Sequence, residues 1–293
     1  MDKDSPLVSI GMPVRNCQNT LALAIRSLLL QTFTNWELIL IDDGSSDETL
    51  KVARSISDNR VKFWSDGISR GLADRLNQAI ELSKGKYFAR MDGDDVAYPE
   101  RLERQVSYLE QHPDVDLVGA WAVVFCSDGT VFGKKNGPET HVDICSKPWR
   151  GFPIVHPSYV GRLNWFRRYG YRQSAIRCED HDLLLRSYRF SRFAIIPEIL
   201  LGYREERINL KKTFTGRRYV MRILFRDYRR EQLGLVLRGV LHETFMSFAD
   251  FIAVISGLNY RMLRHRALPI LDSERREWKC VWRPLNQNNE EER

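Results

Sequence analysis

Five cysteines in 293 residues, odd in number, widely spaced and without a Cys-x-x-Cys pair, supply neither a disulfide framework nor a zinc site. That usage fits a reducing cytoplasm. The opening Met1-Asp2-Lys3-Asp4-Ser5-Pro6 also lacks the basic n-region and apolar h-region of a secretory signal, so a cytoplasmic location is expected. Long apolar runs are scarce. Beyond Arg204 the longest uncharged stretch, Phe251 to Tyr260, is ten residues, half of what a membrane span needs. No Gly-x-Gly-x-x-Gly follows the first strand-like segment and no Walker loop occurs, which disfavours dinucleotide and P-loop chemistry. With 43% hydrophobic residues the chain can nevertheless bury a full core, as one large domain with an appendage or as two domains.

What is present begins with alternating strand and helix signals. Leu7 to Met12 reads as a buried strand, Leu21 to Leu29 as a helix, Trp36 to Ile41 as a strand and Arg60 to Trp64 as another. Leu72, Leu76, Ala79 and Ile80 form the inward face of a helix, and Lys86 to Arg90 is a fourth strand. This alternation implies a parallel α/β sheet with right-handed crossovers, and such sheets bind ligands outside the carboxyl ends of their strands. Two acidic turns then fall on that edge: Asp42-Asp43-Gly44 and Met91-Asp92-Gly93-Asp94-Asp95.

The second turn packs three carboxylates into four residues. Carboxylates this close repel one another unless something positive lies between them, and a hard cation such as Mg2+ or Mn2+ beside a diphosphate is the usual partner. Asp-Gly is equally ordinary turn chemistry, and both readings stand on the pentapeptide alone. An EF-hand loop does not fit, because Val96 and Ala97 stand where that loop needs an oxygen ligand and a glycine. Further on, Val115 to Phe125 is a strand that turns at Ser127-Asp128-Gly129, residues 133–156 read as a loop over the substrate side, and Arg177 to Asp182 opens a helix. Glu179 and Asp180 in its first turn suit the helix dipole; they also suit a carboxylate aimed into the crevice.

Charge divides the chain. Residues 1–200 carry 26 basic and 26 acidic side chains, whereas residues 201–293 carry 19 and 12, so the whole net charge of +7 is C-terminal. Charge of this kind can meet nucleic acid, anionic lipid or an acidic substrate. Arg204 to Arg230 followed by the mostly apolar Leu233 to Tyr260 reads as amphipathic helices that lie on a membrane surface, pack on the core or meet a second subunit. The tail from Asn286 is polar, and disorder is expected there.

In order and spacing, Val8-Ser9-Ile10-Gly11-Met12-Pro13-Val14-Arg15-Asn16, Ile41-Asp42-Asp43-Gly44-Ser45-Ser46-Asp47, Gly71-Leu72-Ala73 with Asn77, Met91-Asp92-Gly93-Asp94-Asp95 and Glu179-Asp180 resemble the inverting family 2 glycosyltransferases. The resemblance covers about residues 7–205. It implies the GT-A fold, a Rossmann-like mixed sheet flanked by helices, with a catalytic domain at 1–203 (nucleotide-sugar side about 7–125, acceptor side about 126–203) and a basic helical extension at 204–293. It also implies a donor nucleotide set of Pro13, Val14, Arg15, Asn16, Asp42, Asp43, Asp74, Asn77, Asp92 and Gly93. Asp94, with Asp92, would hold Mg2+ or Mn2+, Asp180 would be the general base aided by Glu179, and His156 would line the acceptor side. Arg15 departs from the pattern, standing where many members carry an aromatic residue. The Gln-x-x-Arg-Trp signature of processive members is absent, so single addition is expected.

The function implied is transfer of a sugar from a UDP, GDP or dTDP donor to a glycan or lipid-linked acceptor in bacterial surface polysaccharide synthesis. Peripheral contact with the inner face of the cytoplasmic membrane and oligomerisation through the C-terminal helices are compatible with it; nucleic acid is not an expected partner. Two other classes compete: nucleotidyl transfer, which normally needs a glycine-rich basic loop that Gly11 to Arg15 does not supply, and a nucleic-acid-binding module built on the basic C-terminal region.

Overall fold

The computed structural model describes residues 5–205, 210–230, 232–256 and 267–291, the side chains of the last five aside. Of the expectations above, the end of the uncharged run (257–260) and of the tail (292–293) lie outside the described residues.

Strands β1 (Val8–Val14), β2 (Trp36–Asp42), β3 (Val61–Ser65) and β4 (Tyr87–Arg90) pair in parallel in the order β3-β2-β1-β4. Every residue of β1, β2 and β4 is buried. Near-continuous hydrophobic strands are what a parallel sheet covered on both faces requires. Helices α1 (Leu21–Leu29), α2 (Thr49–Arg54) and α3 (Leu72–Leu82) are the crossovers. One core cluster joins α1 and α2 to one face of the sheet, and a second joins α3 to the other. The expected alternation is present at every step.

Beyond β4 the sheet becomes mixed. The short strand β5 (Val96–Ala97) precedes α4 (Arg101–Gln111); β6 (Leu117–Phe125) and β7 (Val131–Lys135) form the hairpin that Asp128-Gly129 turns. After the short α5 (His141–Ile144) and two single 3-10 turns come β8 (Val160–Arg162), α6 (Leu163–Tyr169), α7 (Glu179–Ser187) and β9 (Phe193–Arg204). The nine strands run β3-β2-β1-β4-β8-β6-β9-β5, with β7 on β6. The short β5 and β8 lie outside the sequence reading. Two or three residues are too few to carry a period, and both owe their conformation to the strands they join. The segment 133–156, read as one loop, contributes β7 and α5 as well.

Among the described residues the C-terminal region contains α8 (Leu210–Ile223), one π turn at Leu224–Tyr228, α9 (Leu233–Ile255) and α10 (Asp272–Glu291). It is attached to the domain rather than appended to it. The indole of Trp278 on α10 is 1% exposed, packs at a tilt with its ring centroid 4.7 Å from that of Phe125 of β6 and donates to the carbonyl of Gly129 at 2.8 Å. Lys134 of β7 meets Glu274 at 2.5 Å. Helix α8 crosses at Gly216, where a Cβ would stand 2.8 Å from the carbonyl oxygen of Arg177, and α9 at Gly239, where it would meet Trp149 at 3.5 Å. Helix α10 also runs through Asn286 as far as Glu291, so the expected disorder from Asn286 gives way to helix there. Its anchor is the packing of Trp278 and Leu285, a tertiary contact that the polar composition of the tail does not reveal.

Candidate active site

The turn after β4 is built tightly. Met91 N donates to Gly11 O at 3.1 Å, which fixes the turn to β1, and Thr20 Oγ1 donates to Gly93 O at 2.8 Å. A side chain at 93 would stand 2.6 Å from Val14 Cγ1, so only glycine fits between the two strand ends. The carboxylate oxygens of Asp92, Asp94 and Asp95 then lie within 4.8 Å of one another.

The three acids have different surroundings. Asp92 Oδ1 pairs at 2.5 Å with Arg90 Nη2, whose guanidinium is buried and has Nε and Nη1 without protein partners. Asp95 is enclosed; its Oδ1 accepts from Arg204 N at 2.9 Å, its Oδ2 has no partner, and burial with the neighbouring charges of Asp94 and Asp92 pushes its pKa well up. Asp94 is pushed up to about 6, first by burial and then by Asp92. Arg204 Nε donates to Asp94 O at 2.7 Å, so the end of β9 braces the turn. Three carboxylates held together, one raised to about 6 and one buried with a bare oxygen, form a donor set that suits a hard divalent cation. Asp92 and Asp94 would hold it, with Asp95 behind them.

The first acidic turn divides its two residues. Asp42 is 1% exposed and its carboxylate accepts from Gly44 N at 3.1 Å, Ser45 N at 3.2 Å and Ser65 Oγ at 3.1 Å, so it is a strut of its own turn. Asp43 accepts from Arg70 N at 2.6 Å, Gly71 N and Ser69 Oγ at 3.1 Å and Arg75 Nε at 3.0 Å, tying β2 to the loop before α3. Pro13 and Val14 are buried at the end of β1, and the exposed Arg15 donates to Ser69 Oγ at 2.7 Å. Asn16, at φ 52°, accepts from Ser46 N at 2.9 Å. Asp74 is half-buried in the first turn of α3. Asn77 exchanges two 2.8 Å hydrogen bonds with the backbone of Tyr171 and so, like Asp42, stands behind the pocket.

On the other side, α7 carries Glu179 and Asp180 in its first turn. Burial raises the pKa of Glu179. Asp180 lines two clefts at once: a larger one of about 880 Å3 and a smaller one of about 360 Å3 that it shares with His156. His156 Nε2 is 2.9 Å from Tyr171 Oη, and burial and Arg90 hold the imidazole well below its usual pKa, so it is neutral. Tyr171 joins the two acidic centres: Asp180, Glu179 and Asp92 all act on its buried hydroxyl, which burial first of all raises. Arg90 and Tyr171 are the groups that sequence reading missed. A lone Arg in a strand or Tyr in a loop has no periodic signal, although a cation directly before an acidic turn is a usable one.

Residues 9–174 match the family described as glycosyl transferase family 2. The chain belongs to glycosyl transferase family 2. Among family 2 relatives, EpsE of Bacillus subtilis, named for glycosyl transfer without a stated donor, is 39% identical over 190 residues, 62% of this chain and 67% of EpsE. WfgD of Escherichia coli, a UDP-Glc:α-D-GlcNAc-diphosphoundecaprenol β-1,3-glucosyltransferase, is 33% identical over 136 residues, 46% of this chain and 53% of that one. The fold is similar to that of a mannosyltransferase from Pyrobaculum calidifontis in complex with GDP-Man and Mn2+, with a TM-score of 0.60 at 15% identity over 89% of this chain and 84% of that one. Family 2 membership makes this chain a glycosyltransferase of GT-A architecture.

Proposed function

We propose that the chain transfers a single sugar, with inversion, from a nucleoside diphosphate donor to a hydroxyl of a lipid-linked glycan. The observation that carries this reading is a pair of acidic centres that both act on the Tyr171 hydroxyl: the cluster of Asp92, Asp94 and Asp95 after β4, and Asp180 at the start of α7. Mg2+ or Mn2+ at Asp92 and Asp94 would supply Lewis-acid stabilisation of the departing diphosphate. The chain's own residues do the rest. Asp43 and the Arg70–Gly71 backbone form the wall beside Pro13 and Arg15 that receives the nucleoside. Arg90 aligns Asp92, and neutral His156 with Tyr171 lines the floor between donor and acceptor.

A sugar hydroxyl is too weak an acid to ionise at neutral pH, so its proton must leave as it attacks. Asp180 takes that proton as the bond from acceptor oxygen to anomeric carbon forms and the bond from anomeric carbon to diphosphate oxygen breaks. Glu179 orients Asp180 or the acceptor. The test is thermal stabilisation of the protein by UDP, GDP and dTDP with and without Mn2+, followed by a panel of sugar nucleotides. A Mn2+-dependent shift that Asp94→Ala removes supports the donor site; equal shifts with and without metal would sink it.

The surroundings of α9 support contact with an anionic membrane surface. Leu233, Leu237, Leu241, Phe245, Phe248, Ile252 and Ile255 recur every three or four residues and are all exposed, so one face of a helix of 23 residues presents an apolar stripe. No helix among the described residues is long and apolar enough to cross a membrane. A helix of this kind lies in the interface, and the basic run before it complements anionic headgroups. Co-sedimentation with phosphatidylglycerol vesicles should fall in Leu241→Glu/Phe245→Glu, and unchanged binding excludes this face.

A further inference from the structure

The larger cleft beside Asp180 is lined by five cations, Lys147, Arg150, Arg177, Lys212 and Arg217, against three acids, Asp143, Asp180 and Glu243. Two of the acids are already engaged. Asp143 accepts from Oγ1 of Thr140, the N-cap of α5, at 2.6 Å, and Glu243 lies 3.5 Å from Arg217, which also meets Asp250 at 2.7 Å. No ion pair within the described residues takes Lys147, Arg150 or Arg177, and all three are exposed. A neutral sugar has no use for such a surplus, and cations gathered on one concave wall repel each other until an anion sits among them. Arginine in particular presents paired donors that match phosphate oxygens.

Two further observations bear on the occupant. Arg177 is held at φ 63°, a left-handed conformation that costs a non-glycine residue on the order of 1 kcal/mol and persists only where its surroundings impose it. Here α8 passes the Arg177 carbonyl so closely that a Cβ at Gly216 would stand 2.8 Å from its oxygen, just ahead of Asp180. Second, the wall of the cleft that carries His242 and Met246 belongs to α9, whose outward residues Leu241 and Phe245 are exposed. A group bound in the cleft therefore sits next to the helix face that meets lipid. Neither Asp92 nor Asp94 lines it, which separates it from the donor diphosphate.

We propose that this cleft is a diphosphate subsite for the acceptor: Lys147, Arg150 and Arg177 hold the diphosphate that links the acceptor's first sugar to its lipid. One pyranose ring then spans from that diphosphate to the hydroxyl at Asp180. The proposal rests on the lipid-linked acceptor reading above and deepens it.

The probe is farnesyl diphosphate, titrated calorimetrically into the full chain in EDTA, so that the acidic cluster holds no metal to recruit a diphosphate. Binding should be seen in the wild type, weaken with added NaCl, and weaken at least tenfold in Lys147→Gln/Arg150→Gln, whose exposed side chains leave the melting temperature unchanged. Asp94→Ala should bind like the wild type. No binding by the wild type, less than a twofold change in the double variant, or loss of binding in Asp94→Ala overturns the proposal. So does a double variant that loses phosphatidylglycerol vesicles yet keeps farnesyl diphosphate, because the cations would then serve the bilayer. The nucleotide and Mn2+ melting shift is read on the same samples: its absence would count against the donor site alone and leave the farnesyl diphosphate result standing.

Discussion

The two sides of the crevice are made by different means. On the proposed donor side, the ends of the parallel strands β2 and β4 deliver the acids, and the β2 pair is matched by the chain itself, as with Asp43 and its four donors. On the proposed acceptor side, the walls come from the 133–156 segment, the first turn of α7 and two C-terminal helices, and Lys147, Arg150 and Arg177 stand in the open. A departing diphosphate makes the same electrostatic demand of any nucleotide sugar, so its site can be fixed in the sheet. The acceptor's demand is shape and charge at a distance, which loops and added helices supply.

The largest way to break this comparison is Asp94→Ala. It removes metal and donor together, and kcat/KM should fall on the order of ten-thousandfold, several kcal/mol of leaving-group stabilisation. The Mn2+-dependent melting shift with nucleotide should vanish with it. Asp180→Asn should separate the sides: turnover falls roughly a hundred- to thousandfold, the contribution of a general base, while the nucleotide shift stays. Normal turnover in Asp180→Asn on the true acceptor would remove it from the base role.

Smaller in effect is Gly216→Ala, which places a methyl 2.8 Å from the Arg177 carbonyl and must push α8 away from the turn ahead of Asp180. Overpacking of this kind costs about 1–3 kcal/mol of stability. Turnover should drop about tenfold through misplacement of the base and acceptor cations, with nucleotide binding intact. A loss of nucleotide binding instead would show that α8 supports both sides of the crevice.

The same division governs what the sequence reveals. The alternation from β1 to β4 and the acids at its edge are legible, because buried parallel strands are continuous apolar runs and their ends are punctuated by Asp and Gly. The start of α7 and the 128–129 hairpin are legible for the same reason. The brace of Arg204 on the acidic turn is not, since it joins residues 110 positions apart. Nor is the docking of α10, where Trp278 and Trp282 are the two aromatics of an otherwise polar helix, or the enclosure of Asp42 and Asp43, both buried and bonded within the chain.

The smallest effect concerns the energy stored on the donor side. The Asp94 carboxyl is raised from its ordinary 3.8 to about 6 in the folded protein. For an acid shifted upward, stability is fully present below the unfolded pKa, where both states are protonated, and is lost as pH rises through the folded pKa. Metal-free protein should therefore weaken between about pH 4 and pH 7 through this residue. Asp94→Asn removes the charge with little change of shape. In EDTA its melting temperature should exceed that of the wild type above pH 6, and the gap should close toward pH 4. With Mn2+ and nucleotide the order should reverse, because the wild-type cluster then has the positive charge it is arranged for and the variant has lost a ligand. A melting temperature in Asp94→Asn equal to the wild type at pH 7.5 without metal would mean that the cluster is relaxed on its own, and that its closeness reflects the turn rather than a cation site.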